Sequence, residues 1–115
     1  MKMIEAHVHH IRTPEVIQAL GDAGFRNIML HTVQGMLKPI TENERDYSID
    51  AGGLVISEVR LSLVVDDARV AEATSIIRDV GRIGAHKHPC GYVYVFPVEQ
   101  ALPIGGPDKF GETPA

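Results

Sequence analysis

The sequence predicts an α+β sandwich made of two strand–helix–strand halves joined by a long polar connection. Three observations carry this. Four stretches read as strands: residues 3–10, 26–34, 54–65 and 92–96. The intervals inside each half hold apolar residues at helical spacing, bounded by start and stop signals. The interval between the halves, residues 36–56, is charged and has no clear period. A connection of that length in a small domain is uncommon and is usually functional or disordered.

Taken in order, residues 3–10 alternate, with Ile4, Ala6 and Val8 on one side and Glu5, His7 and His9 on the other. Period two marks a half-buried strand. Thr13-Pro14-Glu15 then opens a helix. Thr13 can cap free N–H groups, Pro14 suits the first helical position and Glu15 favours the positive helix start. Val16, Ile17, Leu20 and Ala23 form its stripe, and Gly24 is placed to end it. Residues 26–34 make the second strand, with Ile28, Leu30 and Val33.

After the connection, residues 54–65 form a long strand whose alternating part is Val59-Arg60-Leu61-Ser62-Leu63. Asp66-Asp67 marks the next helix start, where carboxylates complement the helix dipole. Val70, Ala73, Ile76, Ile77 and Val80 are the apolar stripe, and Gly81 stops it. A second polar loop, residues 82–91, leads to the last strand. Residues 103–115, with three prolines and three glycines, read as a mobile tail. Two halves with right-handed crossovers give a ferredoxin-like βαββαβ sandwich. Both helices cover one sheet face. The other carries apolar as well as polar groups, and copies of the chain are expected to cover it.

Composition narrows the function. One domain of 115 residues with 44% hydrophobic and 23% charged residues has an ordinary core. A net charge of -4 argues against broad nucleic-acid or anionic-membrane binding. Cys90 is the only cysteine, so no internal disulfide forms and a reducing compartment fits. With no signal peptide and no membrane-length apolar run, a cytoplasmic protein is expected.

Several motifs, in order and at fixed spacing, carry a resemblance. MKMIEA opens the chain, ALGDAG ends the first helix and TVQG enters the long connection. VRLSLVVDDARV spans the third strand and the next helix start, GRIG enters the second loop, and YVYVFPVEQAL closes the sheet. Together, over residues 1–104, these resemble the PII signalling proteins. The resemblance implies a homotrimer with adenine-nucleotide sites in clefts between subunits. The connection at about 36–56 would be the T-loop, which changes shape with ligand and docks on a transporter, enzyme or regulator. His7 would stack near the adenine and Val64 would line it. Gly35, Met36, Leu37 and Lys38 would form the loop base beside the nucleotide. Gly84, His86 and Lys87 would bring the second loop to the phosphates, where a glycine lets backbone N–H groups approach an anion.

The sequence also departs from that family. Pro39 stands where a glutamine helps hold Mg²⁺ and 2-oxoglutarate, and Ala51 where many members carry a modified tyrosine. Ala85-His86-Lys87-His88-Pro89-Cys90-Gly91 replaces Gly-Asp-Gly-Lys, and 102–106 lacks two phosphate-gripping arginines. Losing charge-assisted contacts weakens a triphosphate more than a shorter phosphate chain. ADP or AMP is therefore expected to bind at least as well as ATP. The overall pattern looks most like the carboxysome-associated PII-like proteins, which implies bicarbonate as a second ligand and a partner in inorganic-carbon assimilation.

The histidines supply an alternative, a metal-binding or metal-homeostasis protein on the same fold. His7 and His9 lie two apart on a strand, and His86, His88 and Cys90 offer a second set. No complete catalytic set is present, so no enzyme and no catalytic cofactor are expected.

Overall fold

In a computed structural model of the chain, the N-terminal alternation becomes strand β1 (Lys2–His9). Ile4, Ala6 and Val8 on it are buried, and Glu5 and His7 stay partly exposed. The structure describes residues 1–35, 45–48, 53–84 and 90–106, with backbone alone at 45–48 and 53–56. Helix α1 (Thr13–Asp22), strands β2 (Met29–Gly35), β3 (Arg45–Ser48) and β4 (Gly53–Val65), helix α2 (Val70–Val80) and strand β5 (Gly91–Pro97) follow. Four strands lie in the order β2-β4-β1-β5, every neighbouring pair antiparallel. This is the predicted ferredoxin-like arrangement.

The core forms where both helices meet the Ile4, Ala6 and Val8 face. Leu61, Leu63 and Val65 of β4 join it, with Val16 and Leu20 of α1, Ala73 and Ile77 of α2, and Phe25. Each large side chain removed from water there contributes about 1.5–3 kcal/mol. The helices are tied at their ends as well. Arg12 Nε donates to the Val80 carbonyl at 3.1 Å, across the ends of α1 and α2. Arg69 Nη2 donates to the Ala23 carbonyl at 2.7 Å, and its guanidinium lies 4.0 Å over the Phe25 ring.

Four local expectations change. Thr13 is the first residue of α1 and not its cap: a 3-10 turn at His10–Arg12 precedes it, and its Oγ1 donates to the His9 carbonyl at 3.2 Å. The chain before α2 also tightens into a 3-10 turn, Asp67–Arg69, and the Asp67 carboxylate accepts from the terminal ammonium of Met1 at 2.6 Å. Strand β2 starts at Met29, three residues late, because Asn27 sits at φ +58° and breaks the extended conformation.

The fourth correction concerns the connection. It holds β3 and the first residues of β4, paired Arg45 with Ile56 through Ser48 with Gly53. Arg45-Asp46-Tyr47-Ser48 has no apolar alternation in the sequence, and its strand is defined by backbone pairing with residues 53–56. Ile56 pairs with Gly35 of β2 and with Arg45 of β3, so those strands occupy its opposite edges. β1 and β3 therefore succeed one another along one edge of β4. The remaining residues of the connection, 36–44 and 49–52, expected above as a T-loop, lie outside the described residues, as do 85–89 and the residues from 107.

Candidate functional site

Directly opposed residues in neighbouring strands share a sheet face. His7 pairs with Arg60 and with Tyr92, and Arg60 pairs with His31. A row of Tyr92, His7, Arg60 and His31 therefore crosses the face turned away from the helices. Its neighbours on the same face are Tyr94, Glu5, Ser62 and Met29 on one side, and His9, Glu58 and Val33 on the other. Met29, Tyr92, Tyr94 and Phe96 are all exposed. Tyr92 and Tyr94 stack with ring centroids 6.4 Å apart, and His7 meets Tyr94 edge-on at 5.8 Å.

Charges on this face are paired in a chain. Arg60 Nε is 3.6 Å from Glu5 Oε1, which is 3.7 Å from His7 Nε2. The other ring nitrogen, His7 Nδ1, is 3.6 Å from Glu58 Oε1. Glu58 is the unusual member. It is only 4% exposed, and its Oε2 is buried with no hydrogen-bond partner. Burial pushes its carboxyl above the ordinary glutamate range, against the opposing pull of His7 and His9.

Glu58 can sit there because of Gly35. A Cβ at position 35 would overlap both oxygens of the Glu58 carboxylate, so only glycine allows this approach at the end of β2. Gly35 is also the last described residue before 36–44. The carboxylate thus rests on the backbone from which the connection departs. Sequence reading reached Gly35 but missed Glu58. The available signal was parity: Glu58, Arg60 and Ser62 alternate with Val59, Leu61 and Leu63, which puts Glu58 on the face of His7.

The other expected nucleotide contacts are dispersed. Gly35 is opposite Ile56, and Val64 lies eight residues further along β4, opposite Met3. At ~3.3 Å per residue that is about 26 Å. One nucleotide cannot touch both within a single chain. Gly84 has φ +55°, where a side chain is strained, and the space beside it is open. Met36, Leu37, Lys38, His86 and Lys87 lie outside the described residues.

The histidines of the metal alternative fall partly inside and partly outside the described residues. His9 is buried, its Nδ1 accepts the Ile11 N–H at 3.2 Å, and its ring stacks on His10. Among the described residues no three His, Cys, Asp or Glu side chains are grouped to hold an ion, and His86 and His88 fall outside them. No helix among the described residues is long and apolar enough to cross a membrane.

Comparison with known proteins gives a consistent answer. A family model described as nitrogen regulatory protein P-II matches residues 1–105. The nitrogen regulatory protein P-II of Rhodospirillum rubrum is 30% identical over 119 aligned positions, covering 97% of this chain and 98% of its own length. That of Azospirillum brasilense is also 30% identical over 119 positions, with the same coverage of both chains.

Proposed function

We propose, from the premise that the chain belongs to the nitrogen regulatory P-II family, that it is a sensor of adenine nucleotides. Proteins of this family are signalling regulators, typically trimers that act on partner proteins. The sites lie in clefts between subunits, and the loop rooted at Gly35 reports occupancy to a partner.

The observation that carries this reading is the separation of Gly35 and Val64 along β4. A ligand bounded by both needs two chains, which a trimer closed over the face of His7 and Val64 supplies. Covering that face also removes Met29, Tyr92, Tyr94 and Phe96 from water. His7, Gly35, Met36, Leu37, Lys38 and Val64 then bound the base and phosphates, with Gly84, His86 and Lys87 from the second loop. Differential affinity for two loop conformations is what lets the ligand act.

Residues 102–106 offer no arginine to a third phosphate, so ADP or AMP binds at least as well as ATP. Bicarbonate is the second ligand, and the partner belongs to inorganic-carbon assimilation. Calorimetry with AMP, ADP and ATP, with and without bicarbonate, tests the reading. The expected result is ADP or AMP matching or exceeding ATP, with affinity altered by bicarbonate. ATP binding much the tightest, or no nucleotide binding, would overturn it.

A further inference from the structure

Nucleotide sensing leaves Glu58 without a task. Its Oε2 is fully buried and unpartnered, and its carboxylate lies on the Gly35 backbone that begins the connection. An ionised carboxylate is costly in such a place unless something neutralises it. We propose that Glu58, His7 and Gly35 form a proton-operated latch at the root of the loop. While the Glu58 carboxyl holds its proton, it has no charge and stays seated on Gly35. When that proton leaves, a bare carboxylate remains, and it moves toward water and frees the end of β2.

The groups around it define the sign. From β1, His7 Nδ1 is 3.6 Å away and His9 is opposite in register, while Glu5 is tied to the far nitrogen of His7. From β4, Arg60 lies two residues on along the same face and is engaged by Glu5. From β2, Val33 is opposite and His31 is next to Arg60. A neutral carboxyl suits this buried seat, and an ionised one with an unpartnered oxygen does not. Raising pH therefore opens the latch. Burial already holds the Glu58 carboxyl protonated to higher pH than an exposed glutamate. The latch stands without the nucleotide reading; only its effect on signalling rests on that reading.

Amide hydrogen exchange on the full chain without nucleotide, from about pH 4 to about pH 9 and corrected for intrinsic rates, tests it from the ordinary glutamate range upward. Protection of amides 33–35 and 56–58 should fall in one step as Glu58 loses its proton. The fall should be about tenfold for each pH unit by which seating raises the Glu58 pKa. Amides of Leu61 and Leu63 should keep theirs. E58Q should hold the acid-side protection at every pH. G35A, whose methyl takes the seat, should show the open level at every pH. A wild type with no step, or an E58Q protein that keeps the step, would overturn the latch. If E58Q does not fold, a G35A protein that keeps the step would do the same. Loss of nucleotide binding alone would leave all these outcomes in place.

Discussion

Replacing Arg69 with alanine should cost about 2–4.5 kcal/mol of folding stability. Arg69 Nη2 donates a charge-assisted bond to the Ala23 carbonyl at 2.7 Å, where α1 ends. Hydrogen bonds to charged groups contribute about 1.5–3 kcal/mol. The guanidinium over Phe25, at 4.0 Å from the ring centre, adds about 0.5–1 kcal/mol. The ion pair with Glu72 is short at 2.7 Å, but that carboxylate is half exposed, so it adds at most about 0.5 kcal/mol. The carbonyl bond therefore dominates. Urea denaturation should show R69A losing the full amount, E72A about 0.5 kcal/mol or less, and R69K about half, because lysine keeps the charge and loses the fork. All variants should be compared at one protomer concentration without ligand, since association and binding raise apparent stability. R69A within about 0.5 kcal/mol of wild type, or E72A as damaging as R69A, would refute the assignment.

Other outcomes follow from the same geometry. L20A removes a completely buried side chain between helix and sheet, and should cost about 2–5 kcal/mol by chemical denaturation. E58Q should be more stable than wild type at neutral pH, with the gap closing in acid. The folded-state pKa is raised, so Glu58 lowers stability as pH climbs from the unfolded glutamate pKa through the folded one. A denaturation series against pH reads this, and parallel curves would refute it. G84A places a side chain at φ +55° and should cost about 1–2 kcal/mol, visible as a lower melting temperature; G84V should in addition weaken ADP binding in calorimetry.

Most of the scaffold was legible because its signals are local. Alternation in β1, the stripe of α2 and glycines at both helix ends depend on neighbours in sequence. The missed features depend on partners far away. β3 exists because residues 45–48 find residues 53–56, and Arg69 acts on a carbonyl 46 residues earlier. Thr13 looked like a cap, but the tight turn before it sends its hydroxyl back to His9. Glu58 reads as one polar residue in a strand until register sets it beside His7 and over Gly35. Gly35 itself was visible from its motif, although the reason for it, a carboxylate lying on its backbone, was not.

The succession of β1 and β3 along one edge of β4 has an evolutionary consequence. The register of β4 is fixed from Glu58 onward by β1 and from Ile56 onward by β2. A one-residue slip there would turn the core face outward, so that part of the strand tolerates no insertion. Residues added or lost between β2 and β3, or between β3 and β4, leave those pairings untouched. Each doubling of such a segment costs only about 0.6 kcal/mol in closure entropy. Descendants of this chain can thus lengthen, shorten or exchange the segment between β2 and β4, and so acquire different targets, while inheriting the sheet unchanged.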